Sequence, residues 1–184
     1  MQIIDITTEL SARTPVFQSD PHVHIKGHAT IAADGYAVSS LAMGSHSGTH
    51  MDAPCHMIEG GKTAVDAPLN MLIGPCLVVD TDDFRIPAQT KRLLIRDNAA
   101  GEETLNIRQA EALLDAGVRL VGTDSFSIGN EAVHRLLLEA ECLILECLDL
   151  KHAEPGRSIL CALPLKVACD GAPVRACLMP AGER

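Results

Sequence analysis

The sequence predicts an α/β domain, and three observations carry that prediction. Helix and strand patterns alternate through the second half of the chain. Hydrophobic residues make up 47% of 184, enough for a sizeable core. Aromatics are only 2%, with no Trp, one Tyr and three Phe, so that core has to be built from Leu, Ile, Val and Ala. Neither a repeat nor a composition shift marks a boundary, and residues 1–184 read as one domain.

Taken in order, "QIIDIT" is a short strand and "TPVFQSDP" a Pro-bounded loop. "HVHIKGH" alternates as a half-buried strand does. The stretch from Ser40 to Pro54 is rich in Gly, Ser and Thr, and Pro54 excludes a long helix there. "EGGKTAVDAPLN" reads as loop, "GPCLVVDTDD" as a buried strand ending in acidic turn residues, and "KRLLIR" as another strand. "NIRQAEALLDAG" has helical spacing, a capping Asn106 and a stop at Gly117. "VRLVGTD" is a strand, "NEAVHRLLLEA" a helix and "CLILECLDL" a strand. "GRSILCALPLKV" closes the pattern as a strand pair or hairpin.

The net charge of −9, from 15 basic and 24 acidic residues with no basic stripe, argues against nucleic acid as a partner. No apolar run reaches the roughly 20 residues that cross a bilayer, and the first residues lack a signal-peptide pattern. A cytoplasmic protein with no membrane partner is the expectation. Seven cysteines without CxxC spacing read as reduced thiols, mostly small core residues.

The most informative stretch is "HSGTHMDAPCH", with His46, His50, Asp52 and His56 at even positions. On an extended strand these side chains share one face, but at about 3.3 Å per residue His46 and Asp52 would stand roughly 20 Å apart. Ligand atoms lie about 2 Å from a zinc ion, so one cation can use both only if the chain bends. Ser47-Gly48 supplies a permissive backbone for that bend. His50 and Asp52 stay neighbours, Pro54 stiffens the approach to His56, and Cys55 at an odd position aims elsewhere.

Neutral imidazoles with a carboxylate suit zinc, manganese or iron(II), and an aspartate can bridge two ions. The alternative for the cluster is a chance grouping of surface histidines. Downstream, Glu146 interrupts the apolar strand "CLILECLDL". It is either paired or metal-bound, since an unpaired buried charge is very costly, or it faces solvent on an edge strand. His134, taken alone, is a helix-surface histidine. Ser125 and Ser127 lie in "GTDSFS", but no GxSxG elbow supports a serine hydrolase.

HSGTHMDAPCH resembles the signature of the cyclase family, which includes bacterial kynurenine formamidases and related metal-dependent hydrolases. The resemblance continues in "GGKTAVDAPLNMLIGPCLVVD", in "GTDSFS", in the segment from His134 to Glu146 and in "ALPLKVACDGAPVRACL". It implies a compact α/β fold with a central β-barrel-like core, assembled as a dimer or larger. It also implies two divalent cations per chain, zinc first and manganese second. His46, His50 and Asp52 match the ligands of the first, Asp52 being shared. His134 and Glu146 match those of the second, Glu146 also touching the first. His56 matches the acid/base residue. Phe17 stands where formamidases of this kind place a substrate-stacking Trp, and the segment between "GTDSFS" and His134 is several residues shorter than theirs.

The expected activity is hydrolysis of a small amide, an N-formyl aryl amine first and another amide, cyclic amide or lactone second. Cations at such a site would activate a water, and His56 would take its proton and return it to the leaving nitrogen. The competing reading is a metal-binding protein without turnover. Structural zinc sites, however, are usually closed and Cys-rich, and no Cys stands at ligand spacing here.

Overall fold

In the computed structural model, described for residues 2–82, 85–97 and 103–180, strand and helix alternate where the sequence predicts them. Asp83, the last of the acidic residues expected after "GPCLVVD", lies outside the described residues. Seven strands close into a mixed barrel. They are β4 (His50–Asp52), β5 (Ile73–Asp80), β6 (Arg92–Arg96), β7 (Leu120–Thr123), β8 (Leu143–Glu146), β9 (Gly156–Pro164) and β10 (Gly171–Pro180). Around the ring the order is β10-β4-β8-β7-β6-β5-β9, and β9 pairs back to β10. β5 to β8 run parallel, while β4, β9 and β10 supply the antiparallel pairs. The two-residue β1 (Ile4–Asp5) extends β10 beside β4.

The period of two along each strand sorts the apolar residues into two layers. Inside the barrel lie Met51, Leu94, Leu120, Leu145, Leu160, Ala162, Ala176 and Leu178. Outside it, Leu93, Ile95, Val121 and Ile144 pack beneath α3 (Ile107–Asp115) and α4 (Glu131–Glu139). None of the described core residues is aromatic; they are aliphatic or Cys apart from Met51, in line with the composition.

Nine-residue helices are marginal in isolation, so burial and capping have to hold them. α3 buries Ala110 and Leu113; α4 buries Val133, Leu137 and Leu138, each large side chain contributing about 1.5–3 kcal/mol. Asn106 and Gln109 exchange hydrogen bonds as a capping box, and Gly117 takes φ +88° just past the end of α3. The Asn130 side chain accepts from the Ala132 and Val133 amides at the start of α4.

Several details differ from expectation. "HVHIKGH" forms a strand, β2 (His24–Ala29), but it pairs only with β3 (Val38–Ala42), and His24 to His28 are exposed. Alternation alone does not say which face, if either, is covered. A one-turn helix α1 (Ile31–Asp34) joins β2 to β3, and another, α2 (Leu69–Leu72), begins at the end of the segment that reads as loop. The closing hairpin reaches further than expected, because "GAPVRACLMP" is its second strand, paired from Val174 to Pro180 with β9. Of the cysteines only Cys76 and Cys142 are buried; Cys169 is exposed and the other four are intermediate, all as free thiols. No helix among the described residues is long and apolar enough to cross a membrane.

Candidate metal centre

The bend required within the histidine motif is present. Gly48 takes φ +62°, and the chain from His46 folds back so that His46 Nδ1 lies 2.9 Å from Asp52 Oδ1. A Cβ on Gly48 would come within 2.7 Å of Leu10 Cδ2, which would have to swing aside, and the left-handed φ is the stronger reason for glycine there. β4 then carries His50 and Asp52 on one side, between β10 and β8. The pairing sets His50 directly opposite Glu146. Cys147, the next residue, takes φ +55°, a conformation that is costly for a non-glycine residue and ends β8 at that carboxylate. Its carbonyl accepts from the Thr8 and Thr49 hydroxyls at 2.9 and 2.6 Å, which fixes the turn.

Five side chains converge across these elements. His50 Nε2 lies 3.3 Å from Asp52 Oδ1 and 3.4 Å from Glu146 Oε2. His134, from the inward face of α4, sets Nε2 at 3.1 Å from Glu146 Oε1 and 3.6 Å from Asp52 Oδ2. Glu146 Oε1 also accepts the Ile128 amide at 2.7 Å. The ligand atoms of His46, His50 and Asp52 lie within 4.8 Å of one another, and so do those of Asp52, His134 and Glu146. Asp52 belongs to both groups. His134, a surface residue on its own reading, is buried, and Glu146 is a buried carboxylate rather than an edge-strand one.

The electrostatics are those of a compact ionic cluster. Burial opposes ionisation of Asp52, yet the hydrogen bond from His46 and the close imidazole of His50 outweigh it and hold the carboxyl far below its usual range. Burial and the Asp52 charge oppose ionisation of Glu146, and contacts with His134 and His50 still lower its pKa. The imidazoles respond in the opposite sense. Burial disfavours a charged His134, but Glu146 raises it to about 9. His50 is raised well above the ordinary value and His46 is raised as well, in both cases despite burial and because of Asp52.

Direct pairing does not exhaust this cluster. His50 Nε2 and Asp52 Oδ2 are buried and hydrogen-bond to nothing, and each such atom costs about 1–3 kcal/mol. Both belong to the converging set. A buried nitrogen and oxygen left open, among three imidazoles and two carboxylates, are the donor set that a divalent cation of the zinc or manganese kind takes. The residues present fit such an ion.

His56 sits at the edge of this group, on a 3-10 turn over Pro54–His56, its ring centroid 4.2 Å from that of His46 and 6.1 Å from that of His134. Burial lowers its pKa below the ordinary value. That shift favours the neutral imidazole, the form a proton acceptor has to take. Ser125 and Ser127 donate to Asp97 and to the Gly129 carbonyl, not to a histidine, so no Ser–His pair competes with it.

Phe17 is exposed and stacks on Phe126, with ring centroids 6.4 Å apart and planes 13° from parallel. The Phe126 carbonyl lies 3.9 Å from the Sγ of Cys147, the residue that follows Glu146. Phe126 was not singled out by the sequence although it lies in "GTDSFS". Asp170 was also missed. Its Oδ2 is 2.9 Å from His46 Nε2 and 3.7 Å from His56 Nδ1. The only signal for it was its place in "ALPLKVACDGAPVRACL", 124 residues from His46 along the chain.

The chain is similar to known proteins in both sequence and fold. Residues 4–104 match the family model described as putative cyclase. A kynurenine formamidase of Salinibacter ruber is 34% identical over 211 aligned positions, covering 100% of both chains. A solved structure described as a potential metal-dependent hydrolase with cyclase activity superposes with a TM-score of 0.80 at 30% identity, covering 99% of each chain. An isatin hydrolase bound to the product analogue thioisatinate shares the fold, with a TM-score of 0.82 at 24% identity over 98% of this chain and 93% of that one.

Proposed function

This chain belongs to the cyclase family, and from that membership we propose that it is a metal-dependent hydrolase of carbon–nitrogen bonds other than peptide bonds, of the arylformamidase type. The observation that supports this best is the pair of unpartnered buried atoms, His50 Nε2 and Asp52 Oδ2, within a cluster of three imidazoles and two carboxylates. His46, His50 and Asp52 would hold one divalent cation. Asp52, His134 and Glu146 would hold a second, Glu146 reaching both. Zinc is the first choice and manganese the second. When bound, such ions supply an activated water and polarise the substrate carbonyl.

The remaining work falls to the chain itself. His56, neutral and beside the cluster, takes a proton from the attacking water and returns it to the leaving nitrogen. The stacked Phe17 and Phe126 rings would offer an apolar face for an aryl ring of the substrate. N-formylkynurenine, cleaved to kynurenine and formate, is the leading substrate; a smaller amide, a cyclic amide or a lactone is the second. The working unit is a homodimer or larger assembly of one-domain chains in the cytoplasm. The exposed β2–β3 hairpin, with Ile25, Val38 and Leu41 uncovered, offers a surface for a second copy.

The test is hydrolysis of formyl-anilides, cyclic amides and lactones by protein stripped with chelator and reconstituted with zinc or manganese. Restoration of formyl-anilide cleavage by metal is the expected result. A folded protein that binds the ion and turns over none of these substrates would leave a metal-binding protein without turnover.

A further inference from the structure

Each imidazole of the cluster fixes one ring nitrogen on an oxygen at its rear. His50 Nδ1 lies 2.8 Å from the Gly48 carbonyl, and His134 Nδ1 lies 3.1 Å from the Asn130 carbonyl. A carbonyl only accepts, so Nδ1 carries a proton in both rings, and Nε2 is the nitrogen turned toward the carboxylates. His46 is reversed. Its Nδ1 faces Asp52, and its rear nitrogen, Nε2, meets Asp170 Oδ2 at 2.9 Å. His46 alone is backed by a carboxylate, the partner that makes a ligating imidazole more basic and fixes its ring.

The Asp170 side chain is itself held in place. Ser45 Oγ donates to its Oδ1 at 3.0 Å, and its backbone carbonyl accepts the Ala53 amide at 2.8 Å. Gly171 follows, where a Cβ would come within 2.7 Å of His46 Cε1, so glycine lets the ring approach the loop this closely. The same Oδ2 that meets His46 lies 3.7 Å from His56 Nδ1.

We propose that Asp170 is a positioning residue for both histidines: it fixes His46 with Nδ1 presented to the cluster, and it steers the His56 ring through the same oxygen. The proposal rests on the metal-dependent reading above. His46, His56 and Asp170 could themselves gather round a cation, since their ligand atoms also lie within 4.8 Å of one another. That arrangement competes with the first, because a neutral imidazole ligating through Nδ1 keeps its proton on Nε2.

The experiment is zinc competition against a chromogenic chelator, on the full chain and on its Asp170→Asn and Asp170→Ala variants. Folding is checked by thermal melting of the metal-free proteins. Asn keeps an oxygen that accepts from His46 but loses the charge; Ala loses both. One zinc equivalent is expected to weaken by about 10–100-fold, more in Ala than in Asn, while the other holds. At saturating zinc the variants keep a lowered kcat with KM near wild type, through His56. Unchanged zinc affinity in both variants overturns the proposal. So does a third equivalent in the wild type that both variants lose, which would make Asp170 a ligand. Wild-type protein that takes up no zinc overturns the metal-dependent reading, and the proposal with it.

Discussion

His46 Nδ1 and Asp52 Oδ1 meet at 2.9 Å, although six residues of straight strand would separate them by roughly 20 Å. The turn at Gly48 makes the difference, and everything the cluster can hold depends on it. Gly48→Ala places a Cβ against Leu10 and an L-residue at φ +62°. The expected loss is about 1–3 kcal/mol of stability together with weaker zinc uptake, read from urea unfolding and chelator competition. An unchanged unfolding midpoint would mean that the turn relaxes freely and that the fold does not enforce the contact.

The division of labour between His56 and Glu146 can be separated. His56→Ala is expected to lower turnover by about 10²–10⁴-fold with metal content intact, since its work is proton transfer. Glu146→Ala is expected to lose both, because its carboxylate faces His50 and His134 from the centre of the cluster. Elemental analysis beside steady-state kinetics distinguishes them. Wild-type turnover in both variants would remove these roles.

Stability of the metal-free protein should depend on pH in two directions. The His134 pKa is raised in the fold to about 9, so its contribution is complete below its unfolded value near 6.5 and is lost as pH rises toward 9. Asp52 and Glu146 are lowered, so theirs is complete above the ordinary carboxylate range and is lost as pH falls through and below it. Calorimetry of chelator-treated protein should show the melting temperature falling between pH 6.5 and 9. Zinc should abolish that alkaline fall, because a ligating imidazole is already deprotonated. A flat alkaline limb without metal would contradict the ionic cluster.

Aromatic recognition should rest on two rings rather than one. Aromatic pairs are worth about 0.5–1.5 kcal/mol beyond area burial, so losing either Phe17 or Phe126 should weaken aryl substrates by roughly tenfold or less. Formyl derivatives of aliphatic amines should be nearly unaffected. Kinetics of Phe17→Ala and Phe126→Ala on both substrate classes decide the matter. Equal losses on both would give these rings a role in the fold instead.

Much of this protein was legible in the sequence because its signals are local. Helical spacing between Asn106 and Gly117 identified α3, short apolar segments identified β5 to β8, and the paucity of aromatics required an aliphatic core. The spacing of His46, His50, Asp52 and His56 even required a bend, since distance along a strand is fixed by backbone geometry. What the sequence could not decide was which faces become covered. β2 alternates like a half-buried strand and stands exposed, because burial depends on what packs against a face. His134 and Glu146 became partners of Asp52 only when ring closure set β8 beside β4 and α4 over it. Asp170 and Phe126 carry no local signature, because an aspartate before a glycine and a phenylalanine among serines are ordinary loop residues. They reach His46 and Phe17 through contacts more than 100 residues long in sequence, and tertiary structure alone makes such contacts.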